Sequence, residues 1–156
     1  MIFRPVFDHD LPVIEGWLNA EHVSPWFENP EEWMRELRER NGEFSFVSHL
    51  IAEMDGIPIG FCQYYDCFYA KRYEDWHEVS SPGLKYSLDY MIGDPDYLGR
   101  GLGKEMIAKL MVILKDAGAR EIIVDPDKEN IPSVKAFLAN GFERAGEQYI
   151  YSFYPE

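Results

Sequence analysis

Asp94-Pro95-Asp96-Tyr97-Leu98-Gly99-Arg100-Gly101-Leu102-Gly103-Lys104 joins an apolar, strand-like run to a long amphipathic helix pattern. Its three alternating glycines carry no Cβ, so backbone N–H groups there can approach an anion closely. A helix that starts at this point adds unpaired N–H groups and the positive end of its dipole, and Arg100 and Lys104 add charge. The stretch therefore predicts a phosphate-binding loop.

The spacing argues against two familiar phosphate loops. A nucleoside-triphosphate loop of the Walker A type needs glycine at position 98 and Ser or Thr after the lysine, whereas this chain has Leu98 and Glu105. The dinucleotide fingerprint fits better, because a strand precedes the glycines and an acidic residue, Asp125, closes the next strand. Its third glycine, however, falls on Met106 or Lys104. The motif also lies two-thirds of the way along the chain, which leaves too little sequence for a doubly wound parallel sheet.

Length and charge limit the class of protein. The 156 residues predict a single domain over 1–156. With 15 basic and 28 acidic residues, the formal net charge is −13. This charge disfavours nucleic acid as a partner and favours a small cationic molecule or a basic peptide, although an acidic surface can also serve solubility alone.

Targeting and metal signals are weak in this sequence. No apolar window is long enough for a bilayer, and no secretory pattern opens the chain, so we expect no membrane association and a cytoplasmic location. Cys62 and Cys67 are expected to be free thiols. The histidines show no metal-ligand spacing, and we predict no metal site; they are His9, His22, His49 and His77.

Hydrophobic periodicity gives the order β-α-α-β-β-β-α-β-α-β, followed by a last short strand. Asp55-Gly56 predicts a hairpin turn, and Gly141 predicts a left-handed end to the last helix. Asn29 and Asn130 are predicted helix N-caps, with Glu32 completing a capping box. The predicted strands are 2–7, 44–54, 57–65, 84–92, 121–125, 142–147 and 149–154, and the later helices are 101–117 and 130–138. Residues 66–83 are predicted to be an irregular, functional segment.

The loop, the element order and the downstream residues together resemble the GCN5-related N-acetyltransferases (GNAT) over nearly the whole chain. The downstream residues are Asp125-Pro126, Asn130, Ser133, Phe137 and Gly141-Phe142. The resemblance implies an α/β fold of mixed α+β character: a single domain with a mixed, mostly antiparallel central sheet and helices on both faces. It also implies acetyl-coenzyme A as cosubstrate, with the glycine loop on the pyrophosphate and the preceding strand beside the pantetheine arm. The implied coenzyme A residues are Tyr90, Met91, Ile92, Leu98, Gly99, Arg100, Gly101, Leu102, Gly103, Lys104, Asn130, Ser133 and Phe137.

Within that superfamily the chain is most similar to the aminoglycoside 6'-N-acetyltransferases. The shared pieces include residues 58–65, Trp76 ahead of 81–83, residues 88–93 and residues 125–126. In those enzymes an aspartate matching Asp89 lies near the substrate amine, and the equivalents of Trp26, Gln63, Trp76 and Asp125 line the drug site. Tyr65 can stack on a sugar or amine, and Asp66 and Glu78 can make the cleft negative; core packing and a solvated loop are the respective alternatives.

The chemistry requires that an ammonium be bound, deprotonated and held against a thioester carbonyl. Asp89 is the candidate catalytic residue for this step; its alternative is a buried strand aspartate bonded to backbone. Two positions depart from the family pattern. Leu98 replaces the usual Gln or Arg at the head of the loop, and Phe137 replaces a tyrosine that protonates the leaving thiolate in many members.

We therefore predict an acetyl-coenzyme A-dependent N-acetyltransferase that acts on a small cationic amine, with an aminoglycoside as first choice. The rivals within the enzyme class are a siderophore-type hydroxylysine or polyamine and a basic peptide amine. Because Phe137 cannot donate a proton, a non-catalytic acyl-coenzyme A sensor is the rival from another class. Either a monomer or a homodimer is compatible with the sequence.

Overall fold

The computed structural model describes residues 1–74 and 79–154. The strands are β1 (Ile2–Pro5), β2 (Val47–Met54), β3 (Ile57–Asp66), β4 (Lys85–Ile92), β5 (Glu121–Val124), β6 (Glu143–Ala145) and β7 (Gln148–Ser152). The helices are α1 (Leu11–Leu18), α2 (Pro30–Arg38), α3 (Cys67–Ala70), α4 (Leu102–Asp116) and α5 (Ile131–Ala139). Short 3-10 turns cover Asp8–Asp10 and Pro95–Tyr97.

The strands of the described residues form one sheet in the order β1-β2-β3-β4-β5-β7-β6. The pairs β1–β2, β5–β7 and β6–β7 are antiparallel, whereas β4 and β5 are parallel. The parallel pair requires the crossover that α4 supplies. The predicted mixed, mostly antiparallel sheet flanked by helices is therefore confirmed.

The chain divides into two compact units, of which the first comprises residues 1–63 and 90–102. Its core forms where the apolar stripes of α1 and α2 meet the inner faces of the strands, because burial of those stripes is the main driving force for packing such short helices. The buried residues of this core are Val6, Ile14, Leu18, Val23, Met34, Leu37, Ile51, Phe61 and Met91.

The β2–β3 hairpin is the predicted one. Asp55 and Gly56 have φ values of 51° and 77°, the left-handed pair that a tight two-residue hairpin turn requires. Further along, the carbonyl of Ile59 accepts bonds from the N–H groups of Gly93 and Asp94, at 2.8 and 3.0 Å. The start of β3 therefore lies beside the end of β4, which fixes where the strand before the glycine loop leaves the sheet.

The second unit comprises residues 64–89 and 103–156. The carbonyl of Leu84 accepts bonds from the N–H groups of Arg120 and Glu121, and a Lys85–Glu121 ion pair of 2.9 Å joins the first residues of β4 and β5. The buried side chains of α4, β5, α5 and the segment after α5 fill the core of this unit. They include Met106, Ile107, Leu110, Leu114, Ile122, Ile123, Phe137 and Phe142.

Several local predictions are wrong. Residues 44–46 lie in a turn, not in β2, and Val47 N donates to the carbonyl of Phe44 at 3.1 Å. Neither Asn29 nor Asn130 makes a side-chain cap bond, and Asn29 has a left-handed φ of 54°. The predicted irregular segment contains the single-turn helix α3, and other element ends shift by one or two residues.

Across residues 1–74 and 79–154, helices of the length and apolarity that a bilayer crossing demands are not found.

Candidate active site

The loop between β4 and α4 has a defined backbone path. After β4 the chain makes the 3-10 turn Pro95–Tyr97, which the sequence did not predict. The side chain of Asp94 caps this turn by accepting a bond of 3.0 Å from the N–H of Asp96. Leu98 then returns to extended geometry, with φ −73° and ψ 151°, and its side chain is exposed.

Two of the three predicted loop glycines are required for their backbone conformation. Gly99 and Gly101 have φ values of 74° and 72°. Among the described residues other than the adjoining ones, no atom lies within 4 Å of a Cβ built at either position, so the left-handed backbone, and not lack of space, selects glycine there. Gly103 lies in the first turn of α4 and has ordinary helical geometry.

The loop offers unused hydrogen-bond donors. Among the residues that the structure describes, the N–H groups of Gly99, Arg100 and Gly101 donate to no protein acceptor, and all three residues are exposed. The first N–H groups of α4 have no partner within the helix. Lys104 adds an exposed cation one turn into α4. Backbone donors, a helix N-terminus and two cations in six residues suit a phosphate group.

The strand end before the loop is held from two sides. Met91 is buried, whereas Tyr90 and Ile92 are half-buried. The carbonyl oxygen of Ile92 lies 3.0 Å from Nε2 of His22, within hydrogen-bond distance. The ring of Trp17 covers Gly93. No sequence pattern indicated this role of His22, which lies 70 positions from its partner.

Asp89 lies in β4, half-buried, and its charge acts on a buried tyrosine. Burial, followed by the charges of Asp89 and Glu74, raises the pKa of Tyr65 far above its ordinary value, so this tyrosine stays neutral. Its hydroxyl donates to Oε2 of Glu74 at 3.2 Å and is also hydrogen-bonded to Ser87. The structure thus places Tyr65 in the interior, with only 7% of it exposed and its hydroxyl on Glu74, and its contact with substrate stays a prediction.

Asp66, a predicted substrate residue, holds two backbone N–H groups of its own segment. One carboxylate oxygen accepts from the N–H of Phe68 at 2.9 Å and caps α3. The other accepts from the N–H of Gly83 at 2.6 Å, which closes the base of the segment 66–83. Because Asp66 is 7% exposed and bonded through both oxygens, its charge is committed to the backbone of this segment.

The residues predicted on α5 lie mostly inside the second unit. Phe137, a predicted coenzyme A residue, is 3% exposed and packs edge-on against Phe142 in the core, with ring centroids 5.1 Å apart. Ser133 is also buried, whereas Asn130 is half-buried. Asn140 makes a contact that was not predicted from the sequence. Its Nδ2 donates to the carbonyl of Lys104 at 3.1 Å, which ties the end of α5 to the first turn of α4.

The remaining predicted substrate residues fall in different places. In the first unit, Trp26 is 36% exposed and Gln63 is buried. In the second unit, Asp125 is exposed directly after β5. Trp76 and Glu78 lie outside the described residues.

Comparison with known proteins gives one family. The model of the acetyltransferase (GNAT) domain matches residues 6–150. The aminoglycoside N(6')-acetyltransferase type 1 of Klebsiella pneumoniae is 29% identical over 151 residues, which cover 92% of this chain and 74% of the relative.

Solved structures agree with this match. Aminoglycoside acetyltransferase AAC(6')-Ib in complex with paromomycin and acetyl-coenzyme A superposes with a TM-score of 0.81 at 25% identity, covering 97% of this chain and 92% of that one. The same enzyme with coenzyme A and kanamycin gives 0.80 at 26% identity, covering 97% and 94%.

The chain belongs to the GNAT acetyltransferase family. The predicted family, fold and enzyme class, an acyltransferase, are confirmed.

Proposed function

We propose that this protein transfers the acetyl group of acetyl-coenzyme A to a primary amine of an aminoglycoside, the 6'-amine being the first choice. The observation that carries the proposal is the loop in which Gly99 and Gly101 adopt φ values of 74° and 72° with unused N–H groups, within a GNAT chain. Similar enzymes contain an aminoglycoside together with acetyl-coenzyme A or coenzyme A in their solved structures. The acidic net charge of −13 suits a polycationic substrate.

Acetyl-coenzyme A, the GNAT cosubstrate, supplies an activated acetyl thioester when bound. The N–H groups of residues 99–103 and the cations of Arg100 and Lys104 would hold its diphosphate, because backbone donors and a helix N-terminus favour anions. The extended backbone of residues 90–92 would lie along the pantetheine arm. The side chain of Leu98 contributes no polar group to this arrangement, so the backbone N–H groups and cations of the loop must bind the diphosphate without it.

In this proposal, Asp89 acts on the substrate amine, which accepts the acetyl group. A primary amine is an ammonium ion at neutral pH and must lose a proton before it can attack a carbonyl. The half-buried Asp89 carboxylate attracts the cation and accepts or relays that proton, while the Glu74 carboxylate held by Tyr65 adds negative charge. Trp26 and Asp125, together with Gln63, Trp76 and Glu78, stay predicted substrate residues.

The leaving thiolate receives no proton from Phe137, because a phenyl ring carries no acidic hydrogen; the ring packs in the core against Phe142. A coenzyme A thiolate is stable enough to depart without a side-chain acid, or water can supply the proton. The proposal therefore requires no tyrosine at this position. A cytoplasmic location, a single domain and a monomeric or homodimeric state are further predictions.

The test measures thiol release from acetyl-coenzyme A with a panel of amines at equal concentration: kanamycin, a polyamine, hydroxylysine and a basic peptide. Turnover that is fastest with kanamycin supports the proposal. Turnover with hydroxylysine, the polyamine or the peptide, but not with kanamycin, overturns the aminoglycoside assignment. Tight coenzyme A binding without turnover of any amine favours the acyl-coenzyme A sensor.

A further inference from the structure

The loop carries one side-chain cation between its two left-handed glycines. Arg100 lies between Gly99 and Gly101, whose backbones are fixed by φ values of 74° and 72°. The side chain of Leu98, at the head of the loop, has no hydrogen-bond donor. Any side-chain charge at the centre of this loop must therefore come from Arg100.

A neighbouring ring holds that cation. The guanidinium carbon of Arg100 lies 4.9 Å from the ring centroid of Tyr97, which is within cation–π distance. Tyr97 is itself half-buried and belongs to the 3-10 turn Pro95–Tyr97. The ring therefore offers Arg100 a fixed surface, whereas Lys104 is exposed on the helix.

Stacking leaves the donors of Arg100 available. A guanidinium stacks through its flat face, and its five N–H groups point outward in the plane. Within the described residues, no carboxylate lies at ion-pair distance from Arg100, although Asp94, Asp96 and Glu105 are close in sequence. In a chain of net charge −13, a cation without a carboxylate partner beside unused backbone N–H groups is placed to receive an anion.

We infer that Tyr97 is a positioning residue for coenzyme A binding: its ring holds the Arg100 guanidinium beside the loop N–H groups so that it meets the diphosphate. This inference rests on the proposed function. Arg100 thereby supplies the side-chain charge that Leu98 does not. Lys104 acts independently of Tyr97.

A double-mutant cycle with calorimetry of coenzyme A binding tests this coupling. Arg100→Ala weakens binding about tenfold or more, as expected for a lost charge-assisted bond. Tyr97→Leu weakens binding roughly threefold, the size of a cation–π contact at an exposed site, and Tyr97→Phe, which keeps the ring face, binds like wild type. Tyr97→Leu has no further effect once Arg100 is alanine, because its effect passes through that side chain.

The matched control cycle combines Tyr97→Leu with Lys104→Ala. Because Lys104 acts independently of Tyr97, the losses in coenzyme A affinity caused by these two substitutions add. Additive effects of Tyr97→Leu and Arg100→Ala, or wild-type affinity in Tyr97→Leu, overturn the inference. Thermal unfolding of each variant shows that the protein is still folded, and the comparison of Tyr97→Phe with Tyr97→Leu separates loss of the ring face from any other change at this position.

Dephospho-coenzyme A, which lacks the 3'-phosphate, identifies the group that Arg100 meets. An equal loss with coenzyme A and dephospho-coenzyme A supports contact with the diphosphate, whereas a loss confined to coenzyme A overturns it. A wild-type chain that binds neither ligand refutes the proposed function itself. A wild-type chain that binds both, with an additive cycle, refutes only the role of Tyr97.

Discussion

The indole ring of Trp17, in α1, lies directly over the backbone of Gly93, the first residue after β4. A Cβ built on Gly93 would overlap Cγ, Cδ2 and Cε2 of that ring. Gly93 also donates its N–H to the carbonyl of Ile59 at 2.8 Å, so its backbone cannot move away freely. This contact fixes the strand end from which the glycine loop begins.

Gly93→Ala is expected to destabilise the protein by about 1–3 kcal/mol, the usual cost of overpacking a closed contact. Urea unfolding measures this change, and near-UV circular dichroism reports the displaced indole. Gly16→Ala is the matched control, because Gly16 lies in α1 with no atom within 4 Å of a built Cβ. That control is expected to be neutral or slightly stabilising. Equal stability of the two variants would contradict the contact.

Burial of His49 predicts a loss of stability at mildly acidic pH. His49 is 6% exposed, and its Nε2 has no hydrogen-bond partner within the described residues. Burial first, and the nearby charge of Arg40 second, lower its pKa from 6.5 to about 4, while its other neighbour, the Phe61 ring, is neutral. The unfolded chain therefore binds a proton that the folded chain excludes. Stability is complete above about pH 6.5 and declines by about 3 kcal/mol as the pH falls to about 4.

Urea unfolding at several pH values between 4 and 7 measures this effect. In His49→Leu, the free energy of unfolding should decline by about 3 kcal/mol less than in wild type over that interval. His9→Gln is the control, because the His9 side chain is 74% exposed, and it should keep the wild-type profile. Identical profiles for wild type and His49→Leu would show that His49 is accessible to protons in the folded state.

The Arg4–Asp10 pair predicts a second, more acidic transition. The Asp10 carboxylate accepts two bonds from Arg4, at 2.7 and 2.8 Å, and one from the N–H of Phe7 at 2.7 Å. The bond with Arg4 is the main cause that lowers the pKa of Asp10 below 3.8. A carboxylate with a lowered pKa stabilises the fold above its ordinary range and loses that contribution as the pH falls below about 4.

Asp10→Ala is expected to cost about 3 kcal/mol at pH 7, because it leaves a partly buried guanidinium without its main partner. Glu31→Ala is the control: Glu31 pairs with Arg38 at 2.8 Å, but its side chain is 77% exposed, so stability should be unchanged. Urea unfolding at pH 7 and pH 3 distinguishes the two. A loss that is equally large at pH 3 would contradict a charge-based role.

Features that depend on neighbouring residues could be predicted from the sequence. The Asp55-Gly56 turn, the left-handed Gly141 with φ 88° and the left-handed glycines of the loop follow from the few residues that tolerate such backbones. The amphipathic pattern of residues 101–117 likewise predicted the helix that forms the crossover between β4 and β5. These signals, with the resemblance, were sufficient for the family and the fold.

Features that depend on distant residues could not be predicted. The apolar pattern of residues 44–46 is compatible with a strand and also with a turn that buries Phe44. Packing against distant residues decides which of the two forms. By residue type alone, Asp66 is suited to bind a cationic substrate. Its second carboxylate oxygen, however, accepts a bond from the N–H of Gly83, 17 positions away. Sequence spacing gives no information about such a partner.

Asp66→Ala is expected to open the segment 66–83 without unfolding the protein. Both carboxylate oxygens hold backbone N–H groups, and Lys71 Nζ donates to the carbonyl of Val79 at 2.5 Å within the same segment. The loss of two bonds should cost about 2 kcal/mol and accelerate tryptic cleavage after Lys71 and Arg72. Asp127→Ala is the control, because its carboxylate caps only a local turn through Glu129 N. Equal cleavage rates in the two variants would show that contacts other than those of the Asp66 carboxylate hold this segment closed.

Asp89→Asn is expected to reduce kcat by about 100-fold or more, the scale of a lost general base or cation anchor, while coenzyme A affinity changes less than twofold. The half-buried carboxylate next to Tyr65 lies in β4, one residue before the backbone assigned to the pantetheine arm. Asp55→Asn is the matched control: the same chemical change in a hairpin turn with φ 51°, where asparagine is equally tolerated. Steady-state kinetics with kanamycin, calorimetry with coenzyme A and thermal unfolding are measured for each variant. A parallel fall in kcat, coenzyme A affinity and unfolding temperature would mean that Asp89 maintains the strand and does not act on the amine.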